Sequence, residues 1–188
     1  MYHISNDPRV KASAQRICDA LILCSKHRSF SEVTVSDLQK EHGISRTTFY
    51  RLFDNTVDVL EYACDQMGRT ILLNIRGSNP KELTIRAIAA LSSHCELIEL
   101  LCRSGHLDIV QRVQEAYLPL SQFAQGIDIG SGSAYFHRML AQMLPMAIDV
   151  WVSEGQKDAP EEVYEKLRTS ILTLGAWFSD CNNPELET

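Results

Sequence analysis

The side chains best suited to chemistry lie in one short stretch, between residues 45 and 51. Arg46 and Tyr50 are four residues apart, as are Thr47 and Arg51, so a helix would project all four from one side. Guanidinium groups can bind guanine and phosphate, threonine can reach base edges or the thymine methyl, and tyrosine can bind phosphate. A solvated surface is the alternative for any one of them, but the combination is typical of a helix that enters a DNA groove.

Local signals predict a helix, a glycine turn and a second helix around these residues. Thr34 is a good N-cap for the first helix, and Gly43 can take the left-handed conformation that ends it. Ser45 then caps a helix over residues 46–53. The apolar side chains of this helix lie opposite its polar ones and can pack on the neighbouring helices: Phe49, Leu52 and Phe53. The spacing is that of a helix-turn-helix.

The other segments also have the apolar periodicity of helices, and none is a convincing strand. The predicted helices cover residues 10–24, 57–71, 83–103, 107–123, 134–154 and 160–178. A glycine-rich stretch, 126–132, lacks the spacing of a phosphate-binding loop and is predicted to be a connection. We therefore expect an all-α chain with an N-terminal three-helix domain, residues 1–55, and a second, C-terminal helical domain, residues 56–188.

Composition excludes several classes of protein. The chain has 188 residues, 45% of them apolar, with 9 Gly and 6 Pro. It is too apolar for a disordered chain, and no apolar run reaches the roughly 20 residues that cross a bilayer. No signal peptide is evident, and the six cysteines are scattered without a C-x-x-C pair. We expect a soluble cytoplasmic protein with reduced cysteines and no membrane partner.

Charge is distributed unevenly along the chain. Residues 1–55 carry eight basic and six acidic side chains, a net charge of +2, whereas residues 56–188 carry ten basic and eighteen acidic ones, a net charge of −8. A polyanion would therefore meet the first part of the chain. This asymmetry is modest, and it permits nucleic-acid binding without establishing it.

Residues 9–60 resemble the DNA-binding domain of TetR/AcrR-family transcriptional regulators, through the runs T-V-x-D-L and H-G-I-S-R-T-T-F-Y-R-L-F. The resemblance implies a one-component regulator that binds a palindromic double-stranded DNA operator as a homodimer and responds to an unknown small-molecule effector. It also implies which side chains lie at or near DNA: Thr34, Ser36, Ser45, Arg46, Thr47, Thr48, Tyr50 and Arg51.

Several residues depart from the family pattern. Gln39 and His42 stand where the family usually has alanine, and Asn55-Thr56 replaces the common Ser-Lys that contacts phosphate. Loss of one phosphate contact weakens binding and lowers the salt dependence by about one unit. The alternative hypothesis is therefore a TetR-like coactivator or adaptor that acts through protein contacts and does not read DNA.

The last two helices have broad apolar faces, and the resemblance implies that they form a four-helix dimer interface. The predicted interface residues are Met146, Val150, Trp151, Val163, Leu167, Ile171, Leu174, Trp177 and Phe178. The alternative is that these faces bury each other within a monomer. Residues 147–163 are also similar to activators of dihydroxyacetone kinase operons, which keeps activation open beside repression.

An effector pocket is expected among the fifth to eighth helices, although an ordinary core position is the alternative for each candidate. The candidates are His94, Cys102, Tyr117, Phe123, His137, Met139 and Met143.

The sequence contains little that indicates a metal-binding site or a catalytic site. Cys95, Cys102 and His106 have suggestive spacing, but Gly105 should break the helix and a fourth ligand is missing. No catalytic motif such as G-x-S-x-G or H-E-x-x-H is present. We therefore predict no metal site, no cofactor and no enzymatic activity.

Overall fold

A computed structural model describes residues 2–122 and 133–180, and nearly all regular structure there is helical. The α-helices are α1 (Pro8–Cys24), α2 (Val35–His42), α3 (Arg46–Leu52), α4 (Thr56–Gly68), α5 (Pro80–Ser92), α6 (Cys95–Ser104), α7 (Leu107–Tyr117), α8 (Ser133–Ser153) and α9 (Pro160–Asp180). The predicted all-α class is confirmed. Within the described ranges, no helix has the length and apolar character needed to cross a membrane.

The predicted caps around α2 and α3 are confirmed. Thr34 and Asp37 form a reciprocal capping box at the start of α2, and Gly43 ends that helix with φ at 66°. The Ser45 hydroxyl accepts from the Thr48 N–H at 3.1 Å and starts α3. These local bonds satisfy backbone groups that two such short helices would otherwise leave without partners.

The buried side of α3 anchors it to the rest of the chain. Phe49 and Phe53 are fully buried, and their rings lie 5.9 Å apart. The segment before α1 closes over this end of the helix, because the His3 N–H donates to the Leu52 carbonyl at 2.8 Å. One continuous cluster of buried residues runs from α1 to α9 and crosses the predicted domain boundary after residue 55.

The sequence predicts one helix over residues 83–103, and this is wrong, because the structure has α5 and α6 there. The Ser92 hydroxyl donates to the Ile88 carbonyl at 2.9 Å, and the Ser93 hydroxyl donates to the Ala90 carbonyl at 2.6 Å. Such bonds offer the last carbonyls of α5 an alternative to the next helical turn. A regular apolar period alone does not reveal this competition.

Other helix ends also differ from the prediction. The helix predicted to reach residue 123 ends at Tyr117, and a 3₁₀ turn containing Pro119 follows it. At the start of α9, the Ala159 N–H donates to the Glu162 carboxylate at 2.9 Å. Asp158, just before this helix, forms an ion pair with Lys166.

Close contacts join α7 to α4 and α9 to α5. Gly68 of α4 lies so close to α7 that an added Cβ would sit 2.1 Å from Val113 Cγ1. Lys81 of α5 pairs with Glu165 of α9 at 2.9 Å and lies 5.2 Å from the centre of the Tyr164 ring. Because α4 also packs against α1, it joins the N-terminal helices directly to α7.

Candidate nucleic-acid interface

Four exposed side chains of α3, Arg46, Thr47, Tyr50 and Arg51, form what we call the α3 polar face. Tyr50 is 56% exposed although its neighbour Phe49 is fully buried, so the helix separates its two faces sharply. The polar face offers two guanidinium groups, a hydroxyl and a phenol. This chemistry fits phosphates and the edges of bases.

Arg46 is held in place by the preceding helix. Its Nη2 donates to the Ser36 hydroxyl at 2.6 Å, which joins the start of α3 to the first turn of α2. Ser45 and Thr48 hydroxyls lie 2.8 Å apart and form part of the α3 cap. Ser36, Ser45 and Thr48 thus position the helix, while Arg46 keeps further donors toward solvent.

The predicted phosphate contact at Thr34 already has an internal role. The Thr34 hydroxyl donates to Asp37 at 2.6 Å, and Arg28 pairs with Asp37 at 3.2 Å and with Glu41 at 2.6 Å. The hydrogen bonds from Thr34, with the nearby Arg28 charge, lower the pKa of Asp37. The charges of these two carboxylates are therefore balanced in part by one guanidinium.

The start of α4 carries acidic side chains where the resemblance leads one to expect a lysine. The Asn55 side chain accepts from the Asp58 N–H at 3.0 Å, and the Asp58 carboxylate accepts from the Asp54 N–H at 3.0 Å. His3 Nε2 lies 3.2 Å from the Asp54 carboxylate. The Asn55 and Asp58 side chains therefore cap backbone N–H groups at this helix start, and neither offers a positive charge to a phosphate.

The candidate effector residues that the structure describes do not line a single cavity. His94 borders a cleft of about 460 Å³ between α1, α4 and α6, and burial lowers its pKa. Cys102 of α6 is half-buried, and burial together with a hydrogen bond to Asp149 of α8 raises its pKa to about 12. The Tyr117 hydroxyl donates to Asp65 at 2.5 Å.

The remaining effector candidates lie on or before α8. Met139 is 65% exposed and Met143 is half-buried. His137 belongs to α8, but its side chain is outside the described part of the structure, as is the whole of Phe123.

Sequence reasoning missed a polar side chain in the centre of the C-terminal helices. Gln114 of α7 is 8% exposed, and its Oε1 has no hydrogen-bond partner within the described ranges. It borders a small cavity of about 10 Å³ with apolar residues of α4 to α8: Met67, Leu91, Ile98, Leu107, Val110 and Ile148. The available signal was a glutamine four residues after Val110, on the apolar face of α7.

The last two helices expose a set of large apolar side chains, which we call the C-terminal apolar strip. Each member is between 48% and 60% exposed: Met146, Val150, Ile171, Leu172, Leu174, Trp177 and Phe178. Leu172 is the one member that the sequence pattern did not include. In contrast, Val163 is buried within the chain, and Trp151 donates its indole N–H to the Asp158 carbonyl at 3.0 Å.

A groove of about 270 Å³ between α8 and α9 runs into this strip, and the partly buried Leu167 lines it. The alternative that the two faces fully bury each other within one chain therefore does not describe this structure.

Cys95, Cys102 and His106 are not among the described side chains that converge on a possible metal position. His106 Nδ1 lies 3.0 Å from the Ser104 hydroxyl, and its ring packs edge-on against Phe30 at 5.2 Å. Its contacts are those of a packed side chain.

Comparison with known proteins identifies the fold. No family model matches the chain, and no curated protein matches it. A TetR transcriptional regulator from Streptococcus agalactiae 2603V aligns over 87% of this chain and 95% of its own, with 15% identity and a TM-score of 0.64. A TetR-family transcriptional regulator from Syntrophomonas wolfei str. Goettingen aligns over 88% and 96%, with 14% identity and a TM-score of 0.66.

These alignments each cover most of the chain. They give no support to the finer similarity of residues 147–163 to dihydroxyacetone kinase operon activators. The chain has the all-α fold of TetR transcriptional regulators.

Proposed function

We propose that the chain is a one-component transcriptional regulator that binds a palindromic DNA operator as a homodimer, with its DNA affinity controlled by a small-molecule effector. The observation that carries the proposal is the α3 polar face. The buried Phe49 anchors this helix to the core, and Arg46 donates a hydrogen bond to the Ser36 hydroxyl. A seven-residue helix with two exposed arginines and no acidic residue has the size and charge to enter a major groove.

The homodimer is supported by the C-terminal apolar strip. Trp177 and Phe178 are both more than half exposed and stack edge-on with each other at 5.0 Å. Large exposed apolar patches are uncommon on monomeric proteins and mark interaction sites. A two-fold pairing of α8 and α9 would present two copies of α3 to successive turns of a palindromic site.

Effector binding is supported by the buried side-chain oxygen of Gln114, unpartnered within the described residues, and by the small cavity beside it. A buried amide oxygen without a partner can accept a hydrogen bond from a ligand, and the flexible Met67 beside it can move to enlarge the cavity. We expect an apolar small molecule that carries one N–H or O–H donor. A thermal-shift screen should find compounds of this kind that stabilise the wild type, and the variant Gln114→Met should respond to them much less.

The first experiment is selection of bound duplexes from a randomised DNA pool by the purified chain, near 0.15 M salt. Phosphate attraction alone is weakened at this ionic strength, so enrichment reports base reading. We expect enrichment of a two-fold palindrome. Arg46→Ala and Tyr50→Ala should strongly reduce the enrichment while the dimer persists, and unchanged enrichment in both variants would refute the assignment of this face.

The adaptor hypothesis is supported by the start of α4, where Asn55 and Asp58 cap the helix and no lysine is present. This hypothesis predicts that no duplex is enriched at any salt concentration, with or without effector. A stable complex with another protein, unaffected by Arg46→Ala, would then support it against DNA reading.

A further inference from the structure

Three side chains with metal-ligand chemistry meet where α1 and α2 end. Cys24 is the last residue of α1, and Glu41 and His42 are the last two residues of α2. One ligand atom from each lies within 4.8 Å of the other two. The pairing depends on the packing of α1 against α2, because 17 residues separate Cys24 from Glu41.

From this geometry we propose that Cys24, Glu41 and His42 bind a divalent metal ion of the zinc class. Thiolate, imidazole and carboxylate together are typical ligands of zinc, whereas magnesium and calcium favour oxygen alone. Ligand atoms around tetrahedral zinc are about 3.3–3.8 Å apart, given bonds of about 2.0–2.3 Å. Cys24 Sγ and Glu41 Oε2 are already 3.4 Å apart, so a shift of about 1 Å completes the set.

Burial and access both fit such a site. Cys24 is 2% exposed, His42 is half-buried and Glu41 is exposed, so the cluster opens to solvent on the Glu41 side. An ion can enter from that side, and a water molecule can supply the fourth ligand. The thiol donates to Glu41 before binding, and on binding a metal–sulfur bond replaces the S–H bond while the proton leaves to solvent.

Arg28 orients the carboxylate of this site. It donates to Glu41 Oε1 at 2.6 Å, which leaves Oε2 directed at the Cys24 sulfur. Partners of this kind fix the position of metal ligands in many sites. The Arg28 charge opposes the incoming cation, but Asp37 lies 3.2 Å from the same guanidinium and offsets part of that charge.

The site lies directly before the Gly43 turn that leads into α3. A bound ion would join the ends of α1 and α2 and stabilise the helix-turn-helix as a unit. The proposal does not depend on DNA binding, since metal affinity can be measured on the chain alone.

The test is a cobalt titration of the full chain after removal of metal with a chelator. Co²⁺ occupies zinc sites, and a thiolate ligand gives it a near-ultraviolet charge-transfer band that Zn²⁺ then removes. We expect one Co²⁺ per chain with this band. Cys24→Ser should lose the band, and His42→Ala should weaken cobalt binding by at least about tenfold.

Matched controls come from the same two residue types outside the cluster. Cys95→Ser and His27→Ala should leave the band and the affinity unchanged, because neither residue belongs to the group. Circular dichroism will test whether each variant is folded. If Cys24→Ser does not fold, the cobalt affinity of His42→Ala still tests the site. Absence of the band in the wild type, its persistence in folded Cys24→Ser, or equal binding by folded His42→Ala would overturn the proposal.

Discussion

The α3 polar face and the C-terminal apolar strip are both exposed, but their chemistry is opposite. The first presents arginine, threonine and tyrosine on a helix of seven residues, whereas the second presents aliphatic and aromatic groups on two helices of 21 residues each. A cationic polar surface suits a polyanion, and an apolar surface suits another apolar surface. Under the proposed function, the first surface would bind DNA and the second would bind another copy of the chain.

The two surfaces also differ in how the chain supports them. α3 has its buried side closed by Phe49, Leu52 and Phe53, each at most 1% exposed. α9 is held mainly through its first turns, at Val163 and at the Lys81–Glu165 pair, while Ile171 to Ser179 is exposed throughout. Substitutions on the buried side of α3 should therefore affect folding, whereas substitutions on the exposed part of α9 should affect association.

Phe49→Ala tests the support of the α3 polar face and should have the largest effect. Removing a fully buried aromatic ring costs about 3–5 kcal/mol of unfolding free energy. Tyr50→Ala, at the adjacent but 56% exposed position, should change it by less than about 0.5 kcal/mol. Urea denaturation measures both, and similar losses in the two variants would contradict the separation of faces.

Trp177→Glu tests the C-terminal apolar strip. A carboxylate in a closed apolar interface should weaken dimerisation by at least about 2 kcal/mol, or roughly 30-fold in the dissociation constant. Leu120→Glu, a substitution of a 67% exposed residue outside the strip, is the control and should leave the dimer intact. Sedimentation equilibrium measures the dimer fraction, and a wild type that is monomeric at every concentration would contradict this use of the strip.

Gly68→Ala tests the contact between α4 and α7 that connects the two regions. The added methyl would overlap Val113 Cγ1, and overpacking of this kind costs about 1–3 kcal/mol. The double variant Gly68→Ala/Val113→Ala should recover part of the loss, because the smaller side chain makes room. Thermal unfolding of both variants checks this, and a double variant no more stable than the single one would argue against the close contact.

Asp37→Asn should have the smallest effect, and that effect should depend on pH. Bonds from Thr34, with the Arg28 charge, lower the folded pKa of Asp37, so its charged form stabilises the fold above the ordinary carboxyl pKa of about 3.9. This stabilisation is lost as the pH falls through the folded value. Near neutral pH, the unfolding free energy of the wild type should exceed that of Asp37→Asn, and this difference should disappear in acid. Urea denaturation at several pH values measures it. A difference that does not change with pH would show that the ionised Asp37 carboxylate is not its cause.

Local signals allowed much of the helix-turn-helix to be predicted from the sequence. Thr34, Gly43 and Ser45 act on backbone groups within a few residues, so their spacing alone specifies the caps and the turn. Contacts between distant segments have no such signal. The hydrogen bond from Arg46 to Ser36 and the meeting of Cys24 with Glu41 both require the packed arrangement of α1, α2 and α3.

The C-terminal helices illustrate the same limit. The apolar face of α9 could be predicted from its periodicity. The break before α6 could not, because it comes from the Ser92 and Ser93 hydroxyls, which compete with backbone N–H groups for the carbonyls of α5. Gln114 is polar in an apolar period, but the lack of a partner for its side-chain oxygen follows from the five helices around it.

The most direct test of the central claim, that the α3 polar face reads DNA, is the affinity of Arg46→Ala for the selected operator near 0.15 M salt. Arg86→Ala, which removes an exposed arginine of α5, is the control. We expect Arg46→Ala to lose about 1–3 kcal/mol of binding free energy, with unchanged unfolding stability, and Arg86→Ala to bind as the wild type does. Equal operator affinity in Arg46→Ala and the wild type would contradict the account.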